Sequence, residues 1–148
     1  METQPLTIIL ADDDHEDRSI FVEALRESKI KTSIHTVNDG EQLMDYLLQE
    51  DTTIPYMLFL DLNMPRKNGI ECLDEIRRTE KLRELIVAIY STSSSEKDVN
   101  ATFIRGANVY IKKPNNFSEL KQVLDKVVRA AYVYSEPPFN KSNFIFKI

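Results

Sequence analysis

Tryptophan is absent from the 148 residues, cysteine occurs once, histidine twice and glycine three times. The single thiol, Cys72, has no second cysteine to pair with, which excludes an internally disulfide-stapled scaffold. No apolar run approaches the roughly 18 residues that a membrane span needs. The opening METQPLTIIL has no basic segment ahead of a long apolar stretch, so a secretion signal is not expected. A basic excess is missing too: 19 Lys and Arg stand against 24 Asp and Glu, for a net charge of −5. That balance gives no electrostatic footprint for nucleic acid. Internal repeats and low-complexity segments are also lacking. These absences leave a soluble, acidic, cytoplasmic single domain as the expectation. A chain of this length can bury roughly 68–70% of its unfolded surface without staples.

Short apolar runs recur at Leu6–Ala11, 34–37, Met57–Leu60, 86–90 and 109–111. The middle runs are apolar without alternation, as parallel strands covered on both faces are. Amphipathic stretches separate them. Over 16–28, Ile20, Phe21, Ala24 and Leu25 share a face; over 40–50, Leu43, Met44, Leu47 and Leu48 do the same. In 70–79, Ile70, Leu73 and Ile76 repeat beside Cys72, and 96–105 carries Val99, Phe103 and Ile104 more weakly. The last helix, 118–134, carries Leu120, Val123, Leu124, Val127, Val128 and Ala131, with Ser118 expected as its N-cap. Five strands alternating with five helices predict an α/β domain, with helices on both faces of a mainly parallel sheet.

In such a sheet ligands bind beyond the carboxyl ends of the strands, so what ends each strand matters most. The first runs into Asp12, Asp13 and Asp14, the third ends at Asp61, the fourth at Ser91 and Thr92, and the fifth at Lys112, Lys113 and Pro114. Each has an ordinary reading alone: a helix-capping acidic turn, a hydroxyl-rich loop over 92–95, a solvated lysine pair. Their gathering at one sheet edge gives them another. Clustered carboxylates resist ionising together unless a cation relieves them. Mg²⁺ takes oxygen ligands and is usually held by one or two carboxylates plus phosphate. A strand-end lysine and a hydroxyl complete a set suited to phosphoryl chemistry, in which an aspartate can itself be the nucleophile. His15, His35 and Cys72 end none of these strands and are poor candidates.

These residues resemble the receiver family of two-component response regulators over about residues 5–134. The strongest segment is MLFLDLNMP at 57–65, with Met64-Pro65 three and four residues after Asp61 and Gly69 eight after it. The acidic pair after the first strand corresponds to Asp12 and Asp13, and Asp14 to a frequent third acid outside the site. Ser91 lies 22 residues before Lys113-Pro114, the family spacing of its switch hydroxyl; the family commonly has threonine there. Gly106 and Tyr110 also fall into register. The segment Tyr90-Ser-Thr-Ser and the loop over 78–85 resemble stand-alone regulators of the phytochrome-associated type.

The resemblance implies a flavodoxin-like (βα)5 receiver fold: a doubly wound, five-stranded parallel sheet. It implies phosphorylation of Asp61 by a sensor histidine kinase or a histidine phosphotransfer protein. Mg²⁺ would be held by Asp13, Asp61 and the backbone carbonyl of Asn63, with Asp12 acting through water. Lys113 and Ser91 would hold phosphoryl oxygens, and Tyr110 would follow Ser91 as the switch aromatic. Residues 1–134 would form the receiver and 135–148 a tail, packed on the surface or at an interface, without an output domain. A downstream protein target and a homodimer fit this reading; nucleic acid, membrane and enzymatic turnover do not. Two alternatives stand beside it. One is an Mg²⁺-dependent aspartyl-phosphate phosphatase, which needs an acid/base aspartate at the position of Asn63. The other is a phosphorylation-independent scaffold, against which the full set Asp12, Asp13, Asp61, Ser91 and Lys113 argues.

Overall fold

The computed structural model describes residues 5–133 together with 145 and 146. Strands β1 (Leu6–Ala11), β2 (Thr32–Val37), β3 (Met57–Leu60), β4 (Ile86–Ser91) and β5 (Val109–Lys112) alternate with helices α1 (His15–Arg26), α2 (Gly40–Leu47), α3 (Gly69–Arg78), α4 (Glu96–Ile104) and α5 (Phe117–Val133). A two-residue strand β6 (Ile145–Phe146) pairs with β5, in register Tyr110 to Ile145 and Ile111 to Phe146. Among the described residues the sheet order is β2-β1-β3-β4-β5-β6, and every pairing is parallel. The five expected strands and five helices are therefore present, with β6 added at one edge. The rest of the expected tail, including Pro137-Pro138 and Phe144, lies outside the described residues.

All residues of β3 and β4 are buried, which is why those runs carry no polar alternation. Successive side chains go to opposite faces and build two separate cores. Ile9, Ala11, Leu58, Leu60, Val87, Ile89 and Tyr110 pack with Leu43, Met44 and Leu47 of α2 and Cys72, Leu73 and Ile76 of α3. Ile8, Leu10, Met57, Phe59, Ala88, Tyr90, Val109 and Ile111 pack with Phe21, Ala24 and Leu25 of α1 and Leu120, Val123, Leu124, Val127 and Val128 of α5. The edges of the amphipathic faces fall differently from expectation. Ile20, Leu48 and Ile104 are exposed, Ile104 by 79%, because each lies at the margin of its helix's apolar stripe or past the helix end.

Side chains close the helix starts. Asp14 caps α1, Asp39 caps α2, Asn68 caps α3 in a capping box with Glu71, and Ser95 caps α4. Ser118 is not the cap of α5. That helix begins at Phe117, and Asn116 Oδ1 accepts the Glu119 N–H at 2.9 Å while its carbonyl accepts the Leu120 N–H. Ser118 already lies within the first turn, past the position a cap must occupy.

At the amino ends of β4 and β5, Arg77 of α3 acts as a clamp. Its Nε and Nη2 donate to the Gly106 carbonyl, Nη1 to the Arg83 and Leu85 carbonyls, and Nη2 also to Asn108 Oδ1. All five guanidinium N–H groups are thereby used. Asn108 Oδ1 also accepts from Val87 N–H in β4. Gly106 turns there with a φ of 94°, a left-handed conformation that a side chain would strain.

Candidate functional site

The parallel register brings the strand ends together. Ala11 pairs with Leu60, so Asp12 and Asp61 follow one another off adjacent strands, and Asp61 N–H donates to the Ala11 carbonyl at 3.0 Å. Ser91 pairs with Lys112, and Lys113 N–H donates to the Ser91 carbonyl at 2.7 Å. Asp12, Asp61 and Ser91 are buried while Asp13 is exposed, so the cluster is a floor with one open wall. Asp12, Asp13 and Asp61 each offer a carboxylate oxygen within 4.8 Å of the others.

Lys113 reaches into this floor with a side chain only 11% exposed. Its Nζ lies 2.9 Å from Asp12 Oδ2, 2.9 Å from Asp17 Oδ2 and 3.6 Å from Asp61 Oδ2. Only the Asp17 contact has hydrogen-bond geometry, so buried Asp12 Oδ2 keeps a charge partner but no hydrogen bond. Asp12 Oδ1 accepts from Asp14 N–H at 2.9 Å, and the Asp12 carbonyl accepts from Arg18 Nη1 at 2.8 Å. Burial alone would lower the Lys113 pKa, but the carboxylates of Asp12, Asp17 and Asp61 outweigh it and hold the ammonium above its ordinary value.

Asp61 is pushed the other way. Burial raises its pKa to about 6, opposed by Lys113 and reinforced by the charges of Asp12 and Asp13, with a hydrogen bond from Asn63 N–H also favouring the anion. The ligand atoms available here are hard oxygens, and among them the buried Asp12 Oδ2 accepts no hydrogen bond and has only the ion pair with Lys113. That chemistry fits Mg²⁺. Asp12, Asp13 and Asp61 could hold it, with the Asn63 backbone alongside Asp61.

The hydroxyl side is ordered by the loop over 92–95. Ser91 Oγ accepts from Ser93 N–H at 3.1 Å, and Ser93 Oγ bonds Asp98 Oδ2 at 2.6 Å. Tyr110 is buried and donates its hydroxyl to the Ser93 carbonyl at 2.8 Å; burial raises its pKa. Of the strand-end residues singled out from the sequence, Asp12, Asp13, Asp61, Ser91 and Lys113 are thus brought together at this edge, Asp14 caps α1, and Thr92 and Lys112 are exposed. Asp17 escapes a reading of the sequence, because an acid in a helix's first turn is already accounted for by the helix dipole.

Cys72 and His35 lie elsewhere, while His15 opens α1 next to its capping Asp14. Burial lifts the Cys72 thiol to about 11, which suppresses its thiolate. His35 stacks on Tyr46 at 4.3 Å, in β2, away from the acidic floor. A wider cleft of about 840 Å³ opens at the opposite strand ends against Arg77, Lys81 and Asn108, but the Arg77 donors facing it are all engaged.

Residues 8–125 match the model of the response regulator receiver domain family. The chain is 32% identical over 127 residues to response regulator Rcp1 of Synechocystis sp. (strain ATCC 27184 / PCC 6803 / Kazusa), covering 83% of this chain and 86% of the relative. It is 29% identical over 126 residues to the probable methanogenesis regulatory protein FilR2 of Methanothrix harundinacea (strain 6Ac), covering 83% and 81%. Among solved structures, the phosphorylated cyanobacterial phytochrome response regulator RcpA superposes with a TM-score of 0.83 at 32% identity, over 91% of this chain and 99% of that one. The Mn(2+)-bound form of Rcp1 superposes with a TM-score of 0.76 at 31% identity, over 83% and 91%.

Proposed function

The chain belongs to the response-regulator receiver family, and from that premise we propose that it is a single-domain regulator that accepts a phosphoryl group on Asp61. Receiver domains interact with histidine kinases and are typically signalling proteins rather than enzymes. The observation that carries the reading is the buried Asp61 carboxylate, 3.6 Å from Lys113 and clustered with Asp12 and Asp13. One Asp61 oxygen attacks the phosphorus of a phosphohistidine on a kinase or phosphotransfer partner. The N–P bond breaks, the O–P bond forms, and the histidine nitrogen leaves with its electron pair. The chemistry that Mg²⁺ supplies when bound is neutralisation of the phosphoryl oxygens' charge. Asp13, Asp61 and the Asn63 carbonyl would hold it directly and Asp12 through water, and likeness to the Mn(2+)-bound form of Rcp1 supports a divalent cation in this family.

Lys113 offers a point charge to one phosphoryl oxygen and Ser91 a neutral donor to another. Ser91 Oγ accepts from the Ser93 N–H and can still donate its own proton to the group, so a shift of Ser91 toward it would pull on Ser93, whose carbonyl Tyr110 holds. The loop over 92–95 is thus the element that a local charge change would bias, with α4 beyond it as the readout. Asn63 stands two residues after Asp61, where a phosphatase of this chemistry needs an acid, and this favours slow self-dephosphorylation over turnover. Residues 1–134 are read as the receiver, 135–148 as a tail, and the setting as cytoplasmic. Among the described residues no helix is long and apolar enough to cross a membrane.

Acetyl phosphate with Mg²⁺ is expected to add one phosphoryl mass to the protein and none to Asp61→Asn, read by intact-mass spectrometry. Mass gain by Asp61→Asn would refute the acceptor assignment.

A further inference from the structure

Lys113 has three N–H donors and three carboxylates around it, and it does not favour the acceptor. Its shortest contacts, both 2.9 Å, go to Asp12 and Asp17, while Asp61 is at 3.6 Å. The Asp17 contact is also the one with hydrogen-bond geometry. Asp17 lies in the first turn of α1, on the opposite core face from α2 and α3, and its side chain is 37% exposed. Its backbone N–H is bonded to the capping Asp14 Oδ1, so the carboxylate itself is not needed to start the helix. The Lys113 ammonium also lies over the Tyr90 ring, 5.3 Å from its centroid.

We propose that Asp17 is a positioning residue for phosphoryl transfer, which holds the Lys113 ammonium off Asp61 until a phosphoryl oxygen draws it across. The inference rests on Asp61 being the acceptor. Asp12 is fully buried and cannot lose its cationic neighbour without strong cost. Asp17 is partly solvated and can give the lysine up, because water replaces the lost partner. The exchange therefore takes Nζ from Asp17 to the phosphoryl oxygen while its contact with Asp12 persists. α1 loses its tie to the residue that follows β5 each time Asp61 is modified.

The test uses phosphoramidate and Mg²⁺ with the full chain. The O–P bond to Asp61 forms as the N–P bond breaks, and the nitrogen, already protonated in the donor, leaves as ammonia. Asp17→Asn keeps a hydrogen-bond acceptor without the charge, and Asp17→Glu keeps the charge. Asp17→Asn is expected to raise the phosphorylation rate constant about fivefold, since a charge-assisted hydrogen bond no longer competes for the lysine. Asp17→Glu is expected to stay nearer the parent than Asp17→Asn does. A second readout follows the Lys113 side-chain NMR signal, assigned through Lys113→Arg. It should move on Asp17→Asn and, in the parent protein, on adding beryllofluoride. An unchanged or slower rate, or a Lys113 signal indifferent to Asp17→Asn, overturns the inference while leaving the acceptor assignment intact. A parent protein that takes no phosphoryl group sinks the acceptor assignment, and this inference with it.

Discussion

If the acidic floor takes up a cation as proposed, the Asp61 carboxylate would make that binding depend on pH in a range where ordinary aspartates are silent. Burial sets its pKa at about 6, against 3.8 for the exposed side chain. A cation binds the ionised form, so the apparent dissociation constant grows with the protonated fraction. Between pH 7.5 and pH 5 that fraction rises from a few per cent to about nine-tenths, and Mg²⁺ affinity is expected to fall roughly tenfold. With an ordinary carboxylate the change would be under about 10%. Isothermal calorimetry at fixed ionic strength measures it directly, and a loss of less than twofold would refute the reasoning. The same burial makes a second demand. The folded state holds this proton more tightly than the unfolded chain, so the group's contribution is most favourable below about pH 4 and is lost as pH rises through about 6. A shift of that size corresponds to about 3 kcal/mol at most. In metal-free buffer, Asp61→Asn should therefore be more stable than the parent at pH 7.5, and no more stable at pH 4, by urea denaturation. Equal gains at both pH values would mean that charge burial is not the cause.

Two further substitutions probe the framework of the site. At Gly69 an added Cβ would stand 2.4 Å from the Asp61 carbonyl oxygen and 2.8 Å from Leu62 Cα, both backbone, so Gly69→Ala is expected to cost about 1–3 kcal/mol by chemical denaturation. Asn116→Ala should cost about 1 kcal/mol of stability and Ser118→Ala only a few tenths, and the reverse order would restore Ser118 as the cap of α5.

How much is legible in the sequence follows from what each feature depends on. The buried runs at 57–60 and 86–91 announce parallel strands because both faces must be apolar, and strand order then delivers Asp12, Asp61, Ser91 and Lys113 to one edge. Helix periodicity marks where an apolar stripe is but not how wide its buried part is, so it places Ile20, Leu48 and Ile104 too far inward. The start of α5 is misread because Ser118 and Asn116 are both capping types. Asn116 with Glu119 three residues on is the better-registered pair. Two features depend on tertiary placement that no local pattern carries. One is the reach of Lys113 to Asp17, and the other is the two-residue pairing of β6 with β5.

Arg77 gives the sheet a mechanical polarity. By joining the entry of β4 to the entry of β5 through the Arg83, Leu85 and Gly106 carbonyls and Asn108, it makes those two strands resemble beams built into a wall at one end. Ser91 and Lys113 stand at the other end of these beams, farthest from the wall. A push delivered there cannot be relieved by sliding the strands along their length. It has to come out sideways, through the loop over 92–95 and the helix that follows it. Loosening Arg77, whose bonds lie at the opposite strand ends from the acidic floor, would therefore be expected to blunt the proposed response of that loop without touching the carboxylates.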